Sequence, residues 1–141
     1  MRTLLSLLVA VAALGAGCIT QPDEKSGGDG DRHKAKQLKM GKPESDAVDY
    51  NAGDRTDWKL VELQDTGTLT VEVIVDNPKS NLTVAVFDRY GKPVARMAHR
   101  KDDDSPQVKL MTEVGVGKYF VMIQAMKEGD KTGYLVKASV R

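Results

Sequence analysis

The sequence lacks the residues on which several common kinds of site depend. It contains one cysteine, Cys18, which excludes an internal disulfide and a cysteine-based zinc site. Its two histidines, His33 and His99, are too few for a convincing metal cluster. No nucleophile elbow, phosphate-binding loop or zinc-binding helix motif occurs, so we expect that the protein is not an enzyme.

Long apolar runs and an excess of one charge are also missing. The longest apolar run, Leu4 to Leu14, is interrupted by Ser6 and is shorter than the roughly 20 residues that a membrane-spanning helix needs. The chain carries 21 Lys plus Arg and 20 Asp plus Glu, a net charge of +1. Nucleic-acid-binding surfaces are strongly basic, so we expect no nucleic-acid partner.

The amino terminus has the organisation of a secretory signal. A positive charge at Arg2 precedes the apolar run, and three small residues then lead to Cys18. Residues 14–18, Leu-Gly-Ala-Gly-Cys, resemble the lipobox of bacterial lipoproteins, with glycine where the lipobox prefers leucine. The resemblance implies removal of the signal peptide, residues 1–17, and acylation of Cys18. The alternative is an ordinary signal peptide with a cysteine at its border.

Acylation at Cys18 would make the protein a membrane-anchored lipoprotein. Each buried methylene contributes about 0.8 kcal/mol to membrane binding, so two acyl chains give a stable anchor. Residue 19 is Ile, whereas Asp at this place retains some lipoproteins in the inner membrane. The resemblance to sorted lipoproteins therefore favours the outer membrane, with the protein on its periplasmic or surface face.

The composition of residues 19–45 predicts a disordered tether, so that residues 18–45 comprise the cysteine that the resemblance implies is acylated and its tether. This segment is rich in Gly, Lys, Asp, Ser and Pro and has no aromatic residue, so it cannot bury enough apolar area to offset its ordering entropy. Its basic run over residues 32–42 could attract anionic lipid headgroups or could serve solubility alone. We expect the folded domain to span residues 46–141.

Within that domain, apolar and polar residues alternate in short runs, as in Leu69, Val71 and Val73. Alternation is typical of strands with one buried face, and Gly, Pro, Asn and Asp separate the runs as turn residues do. The pattern predicts about seven strands, at 58–63, 68–76, 81–89, 94–100, 107–114, 118–126 and 133–140, with an eighth near 47–50. The fold class is therefore all-β, an antiparallel sandwich or barrel.

Five motifs spread over residues 46–140 resemble, in order and spacing, the bacterial pre-peptidase C-terminal domain. They are Gly53-Asp-Arg-Thr-Asp-Trp58, Thr66-Gly-Thr-Leu-Thr-Val71, Leu82-Thr-Val-Ala-Val-Phe-Asp-Arg-Tyr-Gly-Lys92, Val116-Gly-Lys-Tyr-Phe-Val-Met-Ile123 and Thr132-Gly-Tyr-Leu-Val136. The resemblance implies a jelly-roll-like β-sandwich of a mostly non-catalytic family found on secreted proteases, with suggested roles in substrate or matrix binding. Lys59 departs from the pattern, because the family usually has an aromatic residue after Trp58.

A group of oxygen-bearing side chains precedes the first predicted strand: Asp46, Asp49, Asn51, Asp54 and Asp57. Calcium is a hard cation that takes six to eight oxygen ligands, and some members of the resembled family bind calcium near this edge. One interpretation is a calcium site, although no cofactor is required for the fold. The other is a solvated loop in which Asp57 fixes a turn.

Two aromatic residues are candidates for ligand binding. Trp58 and Tyr90 fall at places where partial exposure is expected, and surface aromatics stack on sugars or act as interface hot spots. Packing at the sheet edge is the alternative for both. Tyr119 and Tyr134 lie in step with apolar neighbours, so we expect them in the core.

Two further features have plain interpretations. His99 falls near a strand end without a second histidine or nucleophile, and we expect it at the surface. The acidic run Asp102–Asp104 could present charge to a partner or a cation, but an exposed hairpin tip is the simpler reading.

The sequence favours a non-catalytic binding or assembly module for a protein partner in a cell-envelope complex. Tethering to a membrane raises the effective concentration of the domain there, so a weak interface can suffice. The alternative is a glycan- or matrix-binding module that uses Trp58 and Tyr90.

Overall fold

A computed structural model describes Lys25 and residues 27–141. The described residues form a short 3-10 helix, Arg32–Lys34, and nine strands: β1 (Lys36–Gln37), β2 (Glu44–Asp49), β3 (Thr56–Leu63), β4 (Gly67–Val75), β5 (Leu82–Asp88), β6 (Pro93–His99), β7 (Gln107–Val114), β8 (Gly117–Ala125) and β9 (Lys131–Val140). In this part of the chain no helix has the length and apolar character needed to cross a membrane. The predicted signal peptide and Cys18 lie outside the described residues.

The strands form two facing sheets in a jelly-roll arrangement. One sheet has the order β1-β3-β8-β5-β6 and the other the order β2-β9-β4-β7. Every pairing is antiparallel except the short contact between β1 and β3. From β2 to β9 the order is that of an eight-stranded jelly roll. The predicted all-β sandwich is therefore confirmed, all seven predicted strands are present, and the eighth, near 47–50, corresponds to β2.

The core lies between the two sheets and is almost entirely aliphatic. In β4 the alternation buries Leu69, Val71 and Val73, and in β8 it buries Val121 and Ile123. Full burial of such a side chain stabilises the fold by about 1.5–3 kcal/mol. As expected, Tyr134 is buried in this core and Tyr119 packs against it.

The structure corrects the predicted boundary between tether and domain. Residues 29–45 were expected in the tether, but they pack on the sandwich: Asp29 and Leu38 are buried, and β2 begins at Glu44. The prediction was wrong here because the composition is locally polar, whereas the partners that order the segment lie far along the chain. The folded domain therefore includes residues 29–45.

This N-terminal segment, residues 29–38, covers the outer edge of β3. The amide of Leu38 donates to the carbonyl of Leu60 at 2.9 Å, and the amide of Trp58 donates to the carbonyl of Asp29 at 2.8 Å. An uncovered strand edge presents unpaired backbone groups that can pair with other chains. The segment satisfies those groups of β3 from within the chain.

The acidic run Asp102–Asp104 is exposed, as one interpretation held, but it is not a hairpin tip. Strands β6 and β7 belong to different sheets, so the loop between them crosses from one sheet to the other. The amide of Arg100 donates to the Asp103 carboxylate at 2.7 Å and closes a turn within this crossover. Strand periodicity reveals where strands lie but does not reveal which sheet each joins.

Leu38→Ala tests whether the N-terminal segment belongs to the folded unit. Removing a fully buried Leu from a packed core costs about 2–5 kcal/mol in the free energy of unfolding. The exposed neighbour Lys39→Ala is the control and should change it by less than about 0.5 kcal/mol. Urea denaturation of both variants measures the difference. Equally small effects for the two would show that the segment is not part of the cooperative fold.

Candidate functional site

Among the described residues, several buried charged side chains lie together between the two sheets, where β2 faces β3. Asp57 and Lys59 both point inward from β3, because side chains two residues apart share a face of a strand. Asp46 of β2 and Tyr134 of β9 meet them from the other sheet, and Asp29 arrives from the N-terminal segment. We call these five residues the buried ionic cluster.

Lys59 is at the centre of the buried ionic cluster. Its Nζ donates to the Asp29 Oδ2 at 2.7 Å and also to the Asp46 Oδ2. The Lys59 side chain is 2% exposed and that of Asp29 is fully buried. On the solvent side, the Lys36 Nζ lies 3.3 Å from the Asp29 Oδ1 and 3.4 Å from the Asp46 Oδ2.

Asp57 is the member of the buried ionic cluster whose ionisation is most altered. Burial raises its pKa to about 7, and the nearby carboxylates of Asp29 and Asp46 act in the same direction. The Tyr134 hydroxyl, which donates to Asp57, and the Lys59 charge oppose the rise without cancelling it. Below about pH 7, a protonated Asp57 contributes no charge to the cluster.

Two further members of the buried ionic cluster, Lys59 and Asp46, each have a pKa shifted in the direction that favours the charged form. Burial tends to lower the pKa of Lys59, but its hydrogen bonds to Asp29 and Asp46 outweigh burial and raise it. Burial tends to raise the pKa of Asp46, but the hydrogen bond and charge of Lys59 outweigh burial and lower it. With Asp57 protonated, two carboxylates therefore face the two ammonium groups of Lys59 and Lys36, and the charges balance.

The buried ionic cluster contains carboxylates that could bind a metal ion, but the Lys59 ammonium already lies between two of them. One carboxylate oxygen from each of Asp29, Asp46 and Asp57 lies within 4.8 Å of the others, a spacing that could hold a metal ion. Lys59, however, places its ammonium between Asp29 and Asp46. A metal ion there would have to displace that ammonium, so the geometry fits a structural ion pair better than a metal centre.

The five residues of the predicted calcium site lie in two separate places. Asp46 and Asp57 belong to the buried ionic cluster, whereas Asp49, Asn51 and Asp54 lie at the far end of β2 and in the loop that follows it. Calcium in that loop stays a prediction.

Protein groups already engage the oxygens of this loop. The Asp49 carboxylate lies 2.7 Å from the Lys131 Nζ and also accepts the amide of Ala52 at 3.1 Å. The Asn51 side-chain oxygen accepts the amide of Gly129 at 3.0 Å. These contacts join the β2–β3 loop to the β8–β9 loop.

Tyr90 is exposed, as expected, and is held in place by its turn. It lies in the β5–β6 turn with 76% of its surface exposed. The Asp88 carboxylate accepts the amides of Tyr90 and Lys92, each at 2.9 Å, and Gly91 completes the turn with a φ of 86°, which favours glycine. The guanidinium of Arg89 lies 4.7 Å from the centre of the Tyr90 ring.

Two turns together form a surface around Tyr90. In the β7–β8 turn, Val116 is 63% exposed, and the Tyr119 hydroxyl accepts the amide of Gly115 at 3.1 Å. A shallow depression of about 250 Å³ is lined by residues of both turns. We call the exposed part of this region, Arg89, Tyr90, Val116 and Lys118, the turn-end surface.

Trp58 packs against the sheet, which was the alternative to ligand binding. It is half-buried on the outer face of β3, and its ring centre lies 5.2 Å from that of Phe87 at an interplanar angle of 52°. Trp58 is not among the residues that line the depression beside Tyr90. The two aromatic residues that the sequence suggested therefore do not form one platform.

His99 is buried, so the prediction that it lies at the surface was wrong. It is the last residue of β6 and is 1% exposed. The alternation of β6 carries the signal, because Ala95, Met97 and His99 lie on the same face of the strand and Ala95 packs against the core.

Three residues of these buried and partly buried ion pairs, Lys59, Asp29 and Lys36, were not predicted from the sequence. Lys59 could have been found, because the alternation through Asp57, Lys59 and Val61 places it inward. Asp29 and Lys36 fall in the segment predicted as tether, where local composition carries no sign of long-range pairing.

The fold of this chain is shared by a domain of known structure. The pre-peptidase C-terminal domain of collagenase from Bacillus anthracis superposes with a TM-score of 0.61 at 12% identity, covering 74% of this chain and 93% of that one. The chain has the fold of a pre-peptidase C-terminal domain. At this identity the likeness shows the fold of the pre-peptidase C-terminal domain alone.

Two other solved structures show weaker likenesses. The Yersinia pseudotuberculosis-derived mitogen gives a TM-score of 0.47 at 12% identity, covering 71% of this chain and 85% of that one. The lectin binding domain of lectinolysin complexed with Lewis b gives a TM-score of 0.41 at 12% identity, covering 69% of this chain and 92% of that one. These TM-scores are too low to bear on function. No protein-family model and no curated protein matches the sequence.

Asp57→Asn tests the protonation of the buried ionic cluster. Because the pKa of Asp57 rises from 3.8 to about 7 on folding, the native state keeps a proton that the unfolded chain releases, and this contribution to stability is lost as the pH rises from about 4 to 7. Asn has the shape of a protonated Asp side chain but does not titrate, so the variant does not lose this stability as the pH rises. The stability of the variant relative to the unaltered protein should therefore increase across this range.

Urea denaturation at several pH values between 4 and 8 measures that relative stability. Other titrating groups are common to both proteins, so their contributions largely cancel in the difference. Asp102→Asn, in the exposed crossover, is the matched control and should show a nearly constant difference. A constant difference for Asp57→Asn as well would contradict a proton held at Asp57.

Proposed function

We propose that the protein is a non-catalytic binding module that is lipid-anchored at Cys18 to the outer membrane and binds a protein partner in a cell-envelope complex. The observation that carries the proposal is the turn-end surface, where Tyr90 is 76% exposed beside Arg89 and Val116. Tyr and Arg are enriched among the residues that dominate binding energy at protein interfaces.

The turn-end surface is preorganised for binding. The Asp88 carboxylate fixes the turn that carries Tyr90, and stacking on Arg89 restricts both side chains before any partner arrives. Restricting a side chain in advance reduces the entropy lost on association. A large, exposed aromatic residue on a fixed turn is therefore suited to serve as an anchor.

A protein partner suits this surface better than a glycan does. A sugar platform needs an open aromatic face, and the Arg89 guanidinium lies over the Tyr90 ring. The second aromatic residue suggested for a glycan platform, Trp58, packs against Phe87 away from the depression. The exposed Val116 adds an apolar contact of the kind found in protein interfaces.

The anchor and the fold together limit where the partner can be. Asp29 is buried in the domain, and ten residues, 19 to 28, lie between it and Cys18. Even fully extended, this length of chain spans at most about 40 Å. A partner of the lipidated protein would therefore lie close to the membrane surface.

Photo-crosslinking from position 116 in the full-length protein, within its native envelope, tests the proposal. A photoreactive residue at Val116 should capture a defined protein in stoichiometric yield, identified by mass spectrometry. Tyr90→Ala should reduce that yield severalfold, because truncating an interface hot spot weakens binding by about 2 kcal/mol or more.

Met111 provides the matched control, since it is 59% exposed on the outer face of the other sheet. Crosslinking from position 111 should not capture the same protein, and Met111→Ala should leave the yield from position 116 unchanged. Recovery of the protein without a partner, or equal capture from both positions, would contradict a specific interface at the turn-end surface.

A further inference from the structure

Strand β7 lies at one edge of the four-stranded sheet, which has the order β2-β9-β4-β7. The amide of Val75 donates to the carbonyl of Pro106 at 2.9 Å, so these two residues form a hydrogen-bonded pair at the start of β7. In antiparallel strands, such pairs alternate with pairs that exchange no hydrogen bonds. The even-numbered residues of β7 therefore bond to β4, and the odd-numbered residues direct their N–H and C=O groups away from it.

The outward backbone groups of β7 include those of Lys109, Met111 and Glu113. All three side chains are exposed on the outer face of the sheet, and Met111 is 59% exposed. Within the described part of the chain, β7 pairs with no strand besides β4, and no turn or loop group bonds to these three amides. An open strand edge of this kind can accept a further strand.

The edge of β2, on the other side of the same sheet, is occupied by the chain itself. The amide of Ala47 donates to the Asp46 carboxylate at 2.9 Å. The backbones of Asp49 and Asp54 bond to each other in both directions. A further strand would have to displace these contacts from β2, whereas at β7 it would displace none of this kind.

The charges of β7 are self-complementary. A two-fold axis at Met111 pairs β7 antiparallel with β7 of a second copy, and Lys109 of each copy then lies opposite Glu113 of the other. The pairing is in phase, because all three residues direct their backbone groups outward. Opposite charges placed directly across two antiparallel strands stabilise the pair, and like charges destabilise it.

Strand β6, the edge strand of the other sheet, does not share this complementarity. Its central residue is Arg96, which is exposed. A two-fold axis at that residue would place two arginines directly opposite each other. The charge pattern therefore favours β7 as the edge that pairs with itself.

The two charged side chains of β7 are only weakly engaged within the chain. The Lys109 Nζ lies 3.8 Å from the Glu72 Oε1, and the Lys109 side chain is 54% exposed. The Glu113 Oε1 accepts the hydroxyl of Thr68 at 2.5 Å, which leaves Oε2 for a second donor. Both groups can therefore meet an opposite charge without breaking a buried contact.

We propose that β7 pairs with β7 of a second copy of this chain, so that the two four-stranded sheets join into one continuous antiparallel sheet. Lys109 and Glu113 of opposite copies exchange both backbone hydrogen bonds, as does Met111 with its counterpart on the axis. On the inner face, the buried Val108 lies opposite Val114 of the other copy and extends the apolar layer. The contact is closed by its two-fold symmetry, so it forms a dimer and not a filament.

Sedimentation velocity of the purified full chain, at concentrations up to about 1 mM, measures the association. Lys109→Glu should weaken the dimer about tenfold, because it turns two attractive pairs across the axis into repulsive ones. Glu113→Lys should have the same effect for the same reason. The double variant with both exchanges restores opposite charges across the axis and should restore the affinity.

Lys137→Glu is the matched control. The Lys137 Nζ also lies 3.8 Å from a Glu72 oxygen, so this variant makes the same charge change beside the same carboxylate. Lys137 belongs to β9, which lies inside the sheet, and its exchange should leave the dimer unchanged.

Hydrogen exchange at low and high protein concentration supplies a second measurement. The amides of Lys109, Met111 and Glu113 should gain protection as the concentration rises, because they acquire acceptors only in the dimer. Met111→Pro removes the amide on the axis without removing a bond to β4, and it should abolish the association.

Four results would overturn the proposal: a monomer at every concentration, equal losses in Lys109→Glu and Lys137→Glu, no recovery in the double variant, or a Met111 amide whose protection does not depend on concentration. A photoreactive residue at position 111 should capture a second copy of this chain, and not the protein captured from position 116. Tyr90→Ala should leave the dimer unchanged, so a failure here is distinguishable from a failure of the proposed protein interface.

Discussion

The Lys59 ammonium joins three parts of the chain that are far apart in sequence. It is bonded to Asp29 of the N-terminal segment and to Asp46 of β2, and it projects from β3 itself. Removing one partner of a buried ion pair typically costs about 3–5 kcal/mol, because the remaining charge is left unpaired in an apolar interior. The placement of the N-terminal segment and the contact between the two sheets at this edge therefore depend on one side chain.

The aliphatic core and the buried ionic cluster act at different places in the sandwich. The aliphatic core supplies cohesion between the sheets, and the buried ionic cluster fixes the edge where β2 and β3 meet. One end of the five-stranded sheet carries the turn-end surface around Tyr90, and Arg96 and Arg100 lie at the other end.

Strand alternation was sufficient to predict most of the fold. Strands β4, β5, β7, β8 and β9 could be placed from the alternation, because apolar side chains recur at every second position in them. The sheet to which each strand belongs could not be predicted in this way. The loop with Asp102–Asp104 was therefore taken for a hairpin, although it crosses between the two sheets. Pairing between strands is a long-range property that no local pattern contains.

The site was harder to predict than the fold, for a related reason. Asp46 and Asp57 were predicted to belong to a calcium site with three other residues, whereas in the structure the cation that lies against Asp46 is the ammonium of Lys59. In the sequence, Lys59 was noted only as a departure from a resembled family. Asp29 lies in a glycine-rich, charged stretch and becomes buried only because Lys59 and Lys36 receive it. His99 was misplaced because its residue type outweighed its position in the alternation of β6.

Native-state hydrogen exchange of Lys59→Met tests the central role of this ammonium most directly. The informative amides are those of Leu38 and Trp58, which bond the N-terminal segment to β3, with the amide of Val121 in the central strand β8 as the internal reference. The account predicts that in the variant the first two exchange through local opening, well before Val121, whereas in the unaltered protein all three exchange with global unfolding. Unchanged protection of Leu38 and Trp58 in the variant would contradict it.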